Sequence, residues 1–247
     1  MKSRLLHYLC FLTALFFFTG NIYSQTQETF NGWGGLFSSY KLNDKFSIHF
    51  DGQVRSNDDW KDVLTYMIRP GLNYHFKPNM VATVGYLYVG TQRTIDNVDG
   101  WSPEHRVWEQ FIYNQKFNLS GHTTTLQHRF RLEQRFLPNT VVENDELTTN
   151  SYDFAQRLRY FARAIFPFKK TDTFTEGAFA ALQNEVFFNI QNSPNDKFFD
   201  QNRVYVAAGW RLNPAFDIEA GYLNQFVVGR GVNVSNNVIQ LALYARL

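Results

Sequence analysis

Between Thr123 and Phe136 the chain reads TTTLQHRFRLEQRF, and its charges fall on every second residue. Thr123, Thr125, Gln127, Arg129, Arg131, Glu133 and Arg135 share one face. Leu126, Phe130, Leu132 and Phe136 take the other, interrupted by His128 and Gln134. A period of two is the signature of a strand with unlike faces. The same pattern recurs along most of the chain. Phe46, Ile48, Phe50 and Val54 alternate with Ser47, His49, Asp51, Gln53 and Arg55. Leu158, Tyr160 and Ala162 oppose Asp153, Arg157, Arg159 and Arg163, and Leu182, Val186 and Phe188 oppose Gln183, Glu185 and Asn189. Val204, Val206, Ala208 and Trp210 oppose Gln201, Arg203 and Tyr205; Ile218, Ala220 and Tyr222 oppose Asp217 and Glu219. Residues 104–117 fit either phase, which leaves the side taken by Glu109 open. No segment carries a 3.6-residue period.

Alternation alone suits two kinds of barrel: a soluble one with its apolar face inward, and a membrane one with its apolar face outward. A soluble periplasmic β-barrel or sandwich that binds a ligand is the first possibility. Four features favour the membrane. The alternating runs are about 12–16 residues long, where soluble strands have about 5–6 and a tilted membrane strand needs about 9–11. Tight turns at 42–45 (LNDK), 77–79 (KPN), 118–121 (NLSG), 169–172 (KKTD) and 213–214 (NP) alternate with longer loops expected at 56–62, 91–103, 138–150 and 191–198. That is the short-turn, long-loop asymmetry of outer-membrane barrels. Tyr40, Phe46, Tyr74, Phe76, Phe117, Phe166, Phe168, Trp210 and Phe216 crowd the short-turn ends, as residues of an interfacial girdle do. The last run keeps apolar residues at Ile239, Leu241, Leu243 and the terminal Leu247. The expected fold is therefore all-β, an antiparallel transmembrane β-barrel. About eleven strands are readable, and because single-chain barrels of this type use even numbers, twelve are expected, with ten as the alternative. Parity calls for one further strand, placed around Thr26–Phe30.

The amino end differs from the rest. Lys2 and Arg4 precede an apolar run from Leu5 to Phe18, and small residues follow up to Ser24. This is the layout of a cleaved secretory leader; the apolar run is too short to span about 30 Å of hydrocarbon as a helix. The expected organisation is a signal peptide over 1–24 and one barrel domain over 25–247. Removing Lys2 and Arg4 leaves 22 of the 24 basic residues against 22 acidic ones, and Cys10, the one cysteine, goes with the leader. Balanced charge without a basic arm gives no reason to expect nucleic acid as a partner. The expected surroundings are outer-membrane lipid.

Taken in order, EHRVWEQF (104–111), HRFRLEQRF (128–136), QRLRYFAR (156–163), LQNEVFFN (182–189), FFDQNRVYVAAGW (198–210) and IEAGYLNQ (218–225), with YMIRPGLNY (66–74), resemble the family known as domain of unknown function twenty-four-ninety. The resemblance covers nearly the whole mature chain. It implies an outer-membrane protein of a Gram-negative bacterium, and no activity comes with it.

Function has to be sought on the charged face. Arg129, Arg131, Arg135, Arg157, Arg159, Arg163 and Arg203 are expected to point into the lumen with Glu133, Asp153, Glu185, Asp217 and Glu219. A barrel of about twelve strands is narrower than the 16–18 that hold an aqueous channel. Buried charges need partners, so an ion-paired network bracing the lumen is one outcome. The other is a narrow arginine-lined path for small anionic solutes. The competing class is a membrane-embedded lipid-modifying hydrolase. No His-x-Ser occurs at His49, His75, His105, His122 or His128, and His122–Thr124 comes nearest. The acidic stretches DNVDG (96–100) and ENDE (143–146) lack the spacing of a calcium loop. No catalytic, cofactor or metal residue is therefore assigned.

Overall fold

The computed structural model describes residues 25–58, 60–119 and 121–247; the leader expected over 1–24 lies outside them. Eleven strands follow one another: β1 (Thr26–Lys41), β2 (Phe46–Ser56), β3 (Val63–Lys77), β4 (Met80–Ile95), β5 (Val98–Leu119), β6 (His122–Glu143), β7 (Glu146–Pro167), β8 (Gly177–Gln191), β9 (Phe199–Asn213), β10 (Phe216–Val227) and β11 (Asn233–Arg246). Each pairs antiparallel with the next, and β1 pairs with β11 to close the barrel. That last pair is parallel, from Thr26↔Asn233 to Ser39↔Arg246. The segment Thr26–Phe30 is thus the first part of β1 and not a further strand. Closure by a parallel pair is what lets an odd number of strands replace the expected twelve.

Two of the expected long loops are strand. At 91–103 the chain turns through Asp96 and Asn97, and at 138–150 through Asn144 and Asp145. All four residues have positive φ, between 49° and 65°. A two-residue hairpin turn of this hand needs left-handed backbone at both central positions, which Asn and Asp tolerate best. The acidic stretches at 96–100 and 143–146 are therefore hairpin tips. Because of these turns β5, β6 and β7 each run 22 residues, about twice a membrane crossing. Their hairpins make one end of the barrel tall. The opposite end carries the short turns, except at 168–176, where a true loop replaces the expected tight one.

The outward face is apolar. Ile48, Val84, Phe130, Val206, Ile218 and Leu241 are all exposed, by 42–61%. The inward face holds Glu133, Arg131, Arg157, Arg159, Glu185 and Glu219, each buried. A barrel with a greasy exterior and a charged interior is built for lipid. At the short-turn end Tyr40, Phe76, Phe168 and Trp210 stand exposed, with Tyr74 packed against Phe46 and Phe76 at 5.3 and 4.7 Å. The aromatic girdle lies where the spacing placed it.

Candidate functional site

Phase decides what enters the lumen. On β6 it places Arg129, Arg131, Glu133 and Arg135 inward, as expected. On β5 it resolves the open question: Arg106, Trp108 and Gln110 are buried, whereas Glu109 faces out and accepts a hydrogen bond from Gln134 Nε2 at 3.1 Å. Register then brings two pairs of like charges together and one of unlike. Arg131 lies opposite Arg159 on β7, Arg106 opposite Arg135, and Glu133 opposite Arg157. Like charges side by side repel, so the carboxylates between them set the arrangement.

Glu133 is the centre. It has no exposed surface and accepts hydrogen bonds from Arg157 Nη2 at 2.7 Å, from Arg159 Nη1, and from Arg106 Nη1 at 3.4 Å. One carboxylate thus ties β5 and β7 to β6. Glu185 on β8 takes Arg159 at 2.7 Å and Arg129 at 2.8 Å. Arg157 reaches Asp200 on β9 at 2.8 Å, and Arg163 reaches Glu219 on β10. The Arg129–Glu185, Arg157–Asp200 and Arg163–Glu219 contacts skip strands and so run through the lumen. Glu104 bridges Arg106 and Arg135, each at 2.7 Å. Lower down, Asp51 pairs with Arg69, and Asp217 holds Arg211 at 2.8 Å and Arg246 at 2.7 Å.

Aromatic rings fill the remaining space. Trp108, Phe179, Phe187 and Tyr205 have no exposed surface. Trp108 lies across the backbone of β3 and β4: a Cβ on Gly85 would meet its ring at 2.5 Å, so only glycine fits there. The guanidinium of Arg131 sits 4.7 Å from the Trp108 ring, and Arg157, Arg159 and Arg203 surround Phe187 at 4.4–5.0 Å. At the short-turn end the loop after β7 sends Phe174 inward against Phe179, with Arg211 stacked on it at 4.5 Å. The middle of the lumen is packed, and a cavity of about 610 Å³ remains at the short-turn mouth, lined by Ser39, Ser47, His75 and Arg246.

Of the expected lumen residues, Asp153 is the exception. It is exposed, opposite Leu137 in the tall hairpin, and makes no ion pair among the described residues. Its parity matches that of Arg157, but it stands above the packed interior. Arg203 points inward yet comes no nearer to Glu185 than 4.0 Å. Glu104, Arg106, Asp200, Arg211, Asp51, Arg69 and Arg246 belong to the ion pairs and are not among the expected residues. The first two fall in the strand of ambiguous phase.

The structure also brings together a hydroxyl and an imidazole distant in sequence. Ser47 Oγ lies 2.9 Å from His75 Nε2 at the short-turn mouth. Ser47 is buried, accepts from Asn73 Nδ2 at 2.9 Å and lies 3.2 Å from Ser39 Oγ. No carboxylate orients His75 among the described residues, so the base lacks the third member that a triad supplies. His122, singled out beside Thr124, is hydrogen-bonded to the Pro167 carbonyl at 2.9 Å.

Residues 30–236 match the model of the family described as Protein of unknown function (DUF2490). The chain belongs to this family. No curated protein matches it. Among solved structures a NanC porin is similar, with 9% identity and a TM-score of 0.49, over 88% of this chain and 99% of that one.

Proposed function

We propose that this family member is an outer-membrane barrel, exported by a leader that ends at Ser24, whose lumen is closed at rest by its own ion pairs. Its role is structural, and no catalytic step is assigned to it. The observation that carries this reading is Glu133, a carboxylate with no exposed surface that receives three guanidinium groups from two neighbouring strands. An open channel would leave such groups in water. Here they are packed against rings and one another.

Single-channel recording of the refolded mature chain in a planar bilayer tests the proposal. A silent barrel is expected, with current appearing when Glu133→Ala loosens the centre. A steady anion-favouring current from the unaltered protein, reduced by Arg131→Ala or Arg159→Ala, would overturn closure and make the arginines a conduction path. The Ser47–His75 contact favours the hydrolase as a second reading. A fluorophosphonate probe decides that point: labelling lost in Ser47→Ala would make Ser47 a nucleophile, and no labelling is expected.

A further inference from the structure

Most inward arginines have a carboxylate within hydrogen-bond reach. Three do not. Arg131 and Arg203 come no closer than 4.0 Å to one, and Arg55 makes no ion pair among the described residues. Arg131 is sealed in, with 1% of its surface exposed. Arg55 and Arg203 are only partly buried. Both lie toward the tall end of the lumen: Arg55 is one residue from the end of β2, and Arg203 is four residues into β9.

The two share a ring. The guanidinium carbons of Arg55 and Arg203 sit 3.7 and 5.3 Å from the Trp33 ring. Each donates through Nη2 to a glutamine on its own strand, Arg55 to Gln53 at 3.0 Å and Arg203 to Gln201 at 3.1 Å. In both, Nε is buried without an acceptor. Two like charges are therefore held near each other by a π face and two neutral amides. Buried donors without acceptors are rare in native structures, and a guanidinium fork is shaped to take a carboxylate or phosphate oxygen. Glu185, which lies 4.0 Å from Arg203, is already occupied by Arg129 and Arg159, and Asp51, on the strand of Arg55, is paired with Arg69.

We propose that Arg55 and Arg203, stacked on Trp33 at the tall end of the lumen, form a binding site for a small soluble oxyanion, a carboxylate or a phosphate. The groups face the lumen and not the lipid, so the ligand comes from the aqueous side. The site needs only the barrel, and a conducting or a silent lumen leaves it equally intact.

The test is calorimetric titration of the refolded mature barrel, in detergent without added lipid and at fixed ionic strength, with inorganic phosphate and separately with acetate. Saturable binding of one anion per barrel is expected, together with a change in tryptophan emission. Arg55→Gln and Arg203→Gln should each weaken binding about tenfold or more, the loss of one charge-assisted contact. Arg246→Gln, at the opposite mouth, should leave it unchanged. Trp33→Phe should keep the heat of binding and lose most of the emission change, a readout that stands if the arginine variants refold poorly. No saturable heat from the unaltered protein with either anion overturns the site. So does an equal loss in Arg246→Gln, which would mean diffuse charge, or binding that appears only when anionic phospholipid is added.

Discussion

Glu133 and Trp33 each gather arginines inside the same barrel, and they do so by opposite means. Around Glu133 the guanidinium groups of Arg106, Arg157 and Arg159 meet, at 3.4 Å or less, a carboxylate that has no surface left to solvent. Around Trp33 the guanidinium groups of Arg55 and Arg203 meet a ring and two amides, and remain partly exposed. The first arrangement ties strands together. The second leaves two charges with no carboxylate within hydrogen-bond reach. Removing a group from each should therefore have unequal effects on stability.

The largest effect is expected at the centre. Glu133→Gln leaves three buried guanidinium groups short of their counter-charge, and breaking a buried pair in this way costs about 3–5 kcal/mol. Unfolding of the refolded barrel in urea, or the temperature at which its compact band disappears on gels, should fall accordingly. An unchanged midpoint would remove Glu133 from its central role and erase the contrast with Trp33.

Next comes the wall itself. On β9, Val206 faces outward and is 55% exposed, three residues from the inward Arg203. An arginine on the lipid face near the bilayer middle costs about 2–4 kcal/mol. Val206→Arg should therefore be destabilised in lipid vesicles by that order, although the strand already tolerates an arginine inside. If Val206→Arg were neutral in vesicles, the exterior would not be a lipid face, and the soluble barrel would return.

These two faces were legible from the alternation because β6, β7 and β9 keep their polar and apolar residues apart. β5 does not: its outward face carries His105 and Glu109, while its inward face carries Trp108 and Ile112. Glu104 and Arg106 stayed hidden for that reason, and nothing short of the strand's pairing with β6 reveals their side. Contacts such as Arg157–Asp200 join β7 to β9 across the lumen. They depend on how many strands close the ring and with what stagger, and local pattern holds neither. Asp153 shows the converse. Parity carries no height, so a residue above the packed interior looks the same as one within it. The tall hairpins were misjudged because DN and ND pairs look like loop composition when they are in fact the tightest turns available.

The smallest effects belong to the Trp33 site and sharpen the contrast most. Arg55 has no carboxylate to abandon; Arg55→Gln gives up the contact with the Trp33 ring and relieves repulsion from Arg203, so it should move stability by no more than about 1 kcal/mol. Trp33→Phe keeps a ring beneath both arginines but a weaker one, and should cost about 0.5–1 kcal/mol through the loss of cation–π attraction. Measured in the same urea titration as Glu133→Gln, these changes should fall well below it. A large loss in Arg55→Gln would mean that this arginine braces the barrel as Arg157 does. The two clusters would then be one network, and the charge left over near Trp33 would be structural.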